Sequence, residues 1–187
     1  MDICITDFEA TCWDNIKPEM MDSKKSEMEI IEIGCVLVGI DLEEISTFQM
    51  FVKPVIRPVL SVYCKNLTHI TQEQVDGAPL FPEAVERLVQ WLDDEAFSAT
   101  SKGVLFASWG KYDCRQLEKD CKYHKVEYPF IPEVCLDIKN HYARKKGFKP
   151  GGLSKAVRCN NIQFKGEQHR ALTDAIATHE VLKVVGL

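Results

Sequence analysis

Residues 2–9, DICITDFE, alternate in a way that only a strand can use, with Ile3, Ile5, Asp7 and Glu9 on one face and Cys4, Thr6 and Phe8 on the other. The first face begins in a core and ends in two acids, whose carboxylates point the same way about 7 Å apart along the backbone. Like charges side by side raise each other's pKa unless a cation lies between them. Carboxylate oxygens suit a hard ion such as Mg²⁺. The other reading is a strand that simply emerges into solvent at Asp7, and the pair alone leaves both open.

The remaining pattern extends this strand into an α/β domain. Residues 13–28 are polar and patternless, a length of loop that is usually functional or mobile. Residues 29–40 and 45–54 read as two strands joined by the Asp41–Glu44 turn, a hairpin. Phe81–Asp94 places Val85, Leu88, Val89 and Leu92 at helical spacing behind Pro82. GVLFASW (103–109) reads as a buried strand entered through Ser101–Gly103, and helices are expected over Asp113–Tyr123, Val134–Lys146 and about 170–185. Gly147, Pro150, Gly151 and Gly152 break the chain between the last two. Three strands followed by helices alternating with a strand imply a mixed sheet.

Apolar residues at 45% exclude a disordered chain, and 187 residues fit one domain, 1–187, with no internal repeat or linker. No apolar run approaches the ~20 residues of a membrane helix. The N-terminus lacks the basic start and apolar stretch of a signal peptide, so export is not expected. The eight cysteines contain no CxxC pair, which excludes a zinc ribbon or thioredoxin motif. Several fall at apolar positions, and a reduced, cytoplasmic protein is expected. The net charge of −5 argues against gripping nucleic acid by broad electrostatics, unless some of the acids are metal ligands.

Three further residues carry chemistry. Asp174 shares a helical stripe with Ala171, Ala177, Thr178 and Val181, where an acid must be paired, metal-bound or at the stripe's edge. The neighbouring alanines would let that helix approach a sheet closely. His169 would lie ~140° from Asp174 on a continuous helix, so a shared site requires it to stand before the helix. There it is either solvated or a general base for water. Asp113, in SWGKYD, either satisfies a helix N-terminus or joins the catalytic set. His69, His124, His141 and His179 show no metal-ligand spacing with cysteine and read as surface residues.

D-x-E in TDFEAT, an Asp after a strand in SWGKYD and H-x4-D in HRALTD stand in that order, with NLTHITQEQVDGAP between them. Over essentially its whole length the chain resembles the DEDDh group of DnaQ-like 3′→5′ exonucleases, and is most similar to the Eri-type exoribonucleases. The resemblance implies an RNase H-like fold, a five-stranded mixed sheet with helices on both faces. It implies hydrolysis of single-stranded RNA or DNA from the 3′ end to nucleoside 5′-monophosphates. Asp7, Glu9, Asp113 and Asp174 become the ligands of two divalent ions, Mg²⁺ or Mn²⁺, and His169 the general base. Two ions ~4 Å apart clamp the attacking and leaving oxygens of an in-line displacement, and each needs several oxygen ligands.

The resemblance also implies substrate contacts at Ala10 and Thr11, for the 3′ sugar, and at Leu67, Thr68, His69 and Ile70, against the terminal bases. Trp109 is either a further stacking platform or part of the core. Arg144, Lys145, Lys146 and Lys149 are either solvated at a helix end or phosphate contacts. Eri-type members acting on structured RNA often carry a further nucleic-acid-binding domain, for which this chain is expected to have no room. The competing readings are a DNA-directed or proofreading-type exonuclease and a silent nucleic-acid- or protein-binding module, though neither a metal acid nor the His is missing. A cysteine enzyme built on Cys12 lacks an activating partner.

Overall fold

The alternating runs form strands where the pattern expects them in a computed structural model that describes residues 2–14, 27–96, 103–131, 134–149 and 151–187. Most of the 13–28 stretch, together with Ser101, Lys102 and Pro150, lies outside the described residues. Strands β1 (Ile3–Ala10), β2 (Ile30–Val38) and β3 (Glu44–Phe51) pair antiparallel in sequence, β2 and β3 as the expected hairpin. Strands β4 (Leu105–Ser108) and β5 (Cys135–Asp137) add in parallel on the other side of β1. The sheet is mixed, five-stranded and ordered β3-β2-β1-β4-β5.

The interior strand β2 is buried along its whole length because helices cover both faces. On one face, Cys4, Phe8, Ile33, Cys35, Leu37 and Phe106 pack against α3 (Phe81–Glu95) and α4 (Tyr112–His124). On the other, Ile3, Ile5, Val36, Val38 and Ala107 pack against α5 (Ile138–Lys146) and α7 (Ala171–Val185). The expected alternation of β1 is thus realised side chain by side chain. Each large apolar side chain so enclosed contributes roughly 1.5–3 kcal/mol. Three short helices complete the described structure: α1 (Val62–Thr68), α2 (Gln72–Asp76) and α6 (Leu153–Cys159). Among the described residues no helix is long and apolar enough to cross a membrane.

Two expectations are corrected. Val134–Lys146 is not one helix: Cys135–Asp137 is the edge strand β5, and α5 begins only at Ile138. Three residues are too few to show an alternation, but Asp137 marks the boundary, since its Oδ1 accepts from the Asn140 N–H at 2.9 Å as an N-cap. His179 is not a surface residue but 2% exposed on α7, with Nε2 2.8 Å from the Leu42 carbonyl oxygen in the β2–β3 turn.

Packing is very close where α7 crosses β2. A Cβ on Gly34 would stand 2.1 Å from Leu172 N and 2.2 Å from Ala171 C, both backbone atoms. Gly34 is the cross-strand partner of Asp7, so this crossing fixes how near the first turn of α7 comes to the acidic end of β1. Because backbone cannot yield as a flexible side chain does, Gly34→Ala is expected to lower the unfolding free energy by about 3 kcal/mol. Urea denaturation followed by circular dichroism checks this, and wild-type stability in the variant would mean that the crossing is not tight.

Candidate active site

Seven carboxylates are buried or half-buried around the end of β1, and they fall into two groups. Glu29, Glu32 and Asp120 have their charge answered. Glu29 accepts the backbone N–H groups of Val55, Ile56 and Arg57 at 2.7, 2.7 and 2.9 Å. Asp120 accepts from Ile30 N at 2.8 Å and Gln116 Nε2 at 3.0 Å, and its other neighbour is the Lys119 ammonium at 3.6 Å. Glu32, fully buried, takes Arg170 through Nε at 3.1 Å and Nη2 at 2.8 Å, the Ala171 N–H at 3.1 Å and Gln49 Nε2 at 2.6 Å. These three are structural, and neither composition nor spacing had singled them out. Glu32 was visible as the lone acid inside the apolar run IIEIGCVLV (30–38).

Asp7, Glu9, Asp113 and Asp174 are not so answered. Among the described residues no donor is hydrogen-bonded to the carboxylate of Asp7 or Glu9. Asp113, in the first turn of α4, accepts from the Phe8 N–H at 3.1 Å, which ties α4 to β1. Asp174, in the first turn of α7, accepts from the His169 N–H at 3.2 Å through Oδ2, while its buried Oδ1 has no partner. Burial, then the charges of Asp174, Glu32 and Asp113, pushes Glu9 up to about 8. Burial likewise raises Asp113 to about 7, against the pull of its backbone donors, with Asp174 adding to the rise. Asp7 stands well above its ordinary value through burial and then the charges of Asp113, Glu9 and Asp174. Asp174 is raised by burial too, in spite of the His169 N–H.

His169 stands before α7, as a shared site requires. Its backbone is left-handed, at φ 60°, a conformation that costs roughly 1–2 kcal/mol outside glycine. That turn brings Glu9, His169 and Asp174 together, each with one ligand atom within 4.8 Å of the others. Next along the chain, Arg170 lies over the Phe51 ring at 5.3 Å and grips Glu32, so the His169 backbone is anchored on its C-terminal side while its side chain stays exposed.

The expected substrate contacts divide. Ala10 and Thr11 lie at the exit of β1, and Thr11 Oγ1 accepts from the Glu29 N–H at 3.0 Å. Helix α1 is fastened to this exit, since Ser61 Oγ donates to the Cys12 carbonyl at 2.7 Å while accepting from Cys64 N at 2.9 Å. Of the turn that follows α1, Leu67 is half-buried and His69 exposed. Thr68 and Ile70 are corrected: both are fully buried, Thr68 bonding the Cys64 carbonyl at 2.9 Å, so neither can stack on a base. Trp109, half-buried, packs within the fold. It lies against Tyr142 with ring centroids 5.8 Å apart, and its N–H donates to the Gly151 carbonyl at 3.0 Å. The Cys12 thiol is pushed up by its bond to Cys64 and by burial, the reverse of activation.

An exonuclease family model matches residues 4–182. The chain belongs to the exonuclease family. It is 35% identical to human 3′-5′ exoribonuclease 1 over 177 residues, covering 92% of this chain and 49% of the relative. It is 31% identical to a Bacillus subtilis protein named as the probable 3′-5′ exonuclease KapD, covering 98% and 83%. The crystallographic nuclease domain of 3′hExo, a DEDDh family member bound to rAMP, superposes with a TM-score of 0.86 at 29% identity, covering 98% and 90%. The architecture is therefore the RNase H-like fold of DEDDh exonucleases. The chain spans about a quarter to a half of the length of the animal relatives it matches.

Raised carboxylate pKa values have a consequence for stability. In metal-free protein the folded state binds more protons than the unfolded one from the ordinary carboxylate range up to about 8, so stability falls as pH rises through that window. In EDTA at pH 8, Asp7→Asn is expected to melt about 3 °C or more above wild type, a gap that shrinks at pH 5. Differential scanning calorimetry at the two pH values checks this, and a less stable Asp7→Asn at pH 8 would contradict the repulsion.

Proposed function

We propose that this protein is a metal-dependent 3′→5′ exoribonuclease that works on single-stranded RNA 3′ ends, with residues 1–187 acting as one exonuclease domain. The observation that carries the reading is the set of four under-satisfied carboxylates beside His169 at one end of the sheet. A donor set of four acids, with a buried orphan oxygen on Asp174, fits hard divalent cations. Asp7, Glu9, Asp113 and Asp174 would hold two such ions, Mg²⁺ or Mn²⁺. Bound there, the ions supply polarisation of the scissile phosphate and acidification of the attacking water.

The chain's own residues do the rest. Imidazole is a base suited to neutral pH, and His169 accepts the proton of the water that attacks the terminal phosphorus. The bond to the 3′-oxygen of the upstream nucleotide breaks, that oxygen takes a proton, and a nucleoside 5′-monophosphate leaves. Carboxylates held up by burial and repulsion favour cation entry over an empty, ionised cluster. The Glu9–Ala10–Thr11 backbone receives the 3′ sugar, and Leu67 and His69 face the terminal bases. RNA is favoured over DNA by the name of the human relative and by the rAMP bound to the 3′hExo domain. A silent binding module is disfavoured because all four acids and the His are present, with Glu9, His169 and Asp174 close together. Eight free thiols suit a reducing compartment, and a cytoplasmic location is proposed on that ground.

Digestion of matched 5′-labelled RNA and DNA strands, with Mg²⁺ or with EDTA, tests this. Wild type shortens RNA from the 3′ end only with metal, and His169→Ala loses about 10²–10⁴-fold in rate. Metal-independent cleavage, or a His169→Ala enzyme of wild-type rate, would overturn the mechanism. Preference for DNA would overturn the substrate.

A further inference from the structure

A groove of about 670 Å³ opens beside Lys111, Asp137, Asn140, Arg144 and Phe148. It lies at the C-terminal ends of β4 and β5. These strands run parallel to β1, so the groove shares an edge of the sheet with Glu9 and stands about two strand spacings, ~10 Å, to one side. Lys111 joins the two regions, since it lines the groove and precedes Asp113 by two residues.

Charge marks this side of the molecule. Residues 138–166 contain eight Lys and Arg and no Asp or Glu, within a chain of net charge −5. The groove's own acid is occupied as the cap of α5, where Asn140 N and Nδ2 lie 2.9 and 2.6 Å from its two oxygens. Among the described residues no carboxylate pairs with Arg144, Lys146 or Lys149. A helix C-terminus favours cations by itself, and Lys145 is engaged elsewhere, its amine 3.0 Å from the Leu187 main-chain oxygen beyond α7.

The aromatic ring does not follow from a helix C-terminus. Phe148 is 56% exposed although its backbone is held: Gly147 ends α5 at φ 68°, and the Phe148 N–H donates to the Ala143 carbonyl at 2.9 Å. A bare ring in a fixed position among cations is the combination that grips single strands without reading their sequence, by base stacking and phosphate attraction.

We infer that this groove holds the RNA strand upstream of the scissile bond, with Phe148 stacking on a base and Arg144 and Lys111 facing phosphates. The direction of the strand rests on the exonuclease reading; the affinity of the groove for RNA does not. Fluorescence anisotropy in EDTA, where nothing is cut, compares a labelled single-stranded RNA of roughly ten nucleotides with a trinucleotide. Wild type binds the longer strand more tightly. Phe148→Ala, checked for folding by its melting temperature, lowers affinity for the longer strand at least about fivefold and narrows the gap between the two RNAs. Arg144→Ala flattens the dependence of log affinity on log salt by about 0.7. Wild-type length and salt dependence in both variants would overturn the inference, including in favour of a protein-binding face. A wild type that binds with this length dependence but digests no RNA would instead strike the exonuclease reading and leave the groove standing.

Discussion

Mutual repulsion among Asp7, Glu9, Asp113 and Asp174 is the constraint around which the neighbouring structure is arranged. Two unit charges about 5 Å apart in a partly buried setting repel by roughly 3 kcal/mol. That is a large share of the 5–15 kcal/mol by which domains are stable. The acids stay together because each rides on an element that is fully satisfied elsewhere. Asp113 is carried by α4, which is bound to β1 through the Phe8 N–H and to β2 through Asp120. Asp174 is carried by α7, whose first N–H is capped by Glu32 and whose apolar side is sunk between the sheet and α6. The contrast with Glu29, Glu32 and Asp120 is what gives the cluster meaning. A fold able to satisfy three buried carboxylates this completely leaves four others under-satisfied at one place.

The approach of α7 to the sheet turns that repulsion into a defined geometry. Gly34 leaves no side chain between β2 and the helix backbone at Ala171 and Leu172, and Ala171 and Ala175 keep the helix surface low. Asp174 is thereby brought towards Asp7 by main-chain packing, which is stiffer than side-chain adjustment. The Glu32–Arg170 pair then fixes the residue beside His169, whose left-handed backbone folds it over the helix start. The energetic cost of that conformation is carried by the surrounding contacts.

The strong periodicities were legible from the residues alone. The faces of β1, the hairpin, α3 and the final helix all announced themselves, since each buries a full stripe. The separation of His169 from the Asp174 helix also followed from angles alone. Among the features that escaped, three leave no period. Strand β5 is too short, α1 and α2 are defined by the caps Ser61 and Thr71 more than by apolar spacing, and His179 is buried for the sake of one carbonyl. The inward turn of Thr68 and Ile70 depends on α1 being tied to the end of β1, a contact between segments some fifty residues apart. Glu32 could have been found, because an acid in a run otherwise fit for a core needs a partner.

Net charge was the least informative quantity, for a physical reason. It averages an acidic pocket with a cationic flank that contains no acid at all between residues 138 and 166. Cations spread over the whole surface would bind a strand at any register and resist its advance after each nucleotide is removed. On the exonuclease and groove readings proposed above, concentrating negative charge where metal ions would enter, and positive charge one groove away, would separate the chemistry from the hold on the strand. An overall charge of −5 is then what such a division leaves behind, and it says little about affinity for nucleic acid.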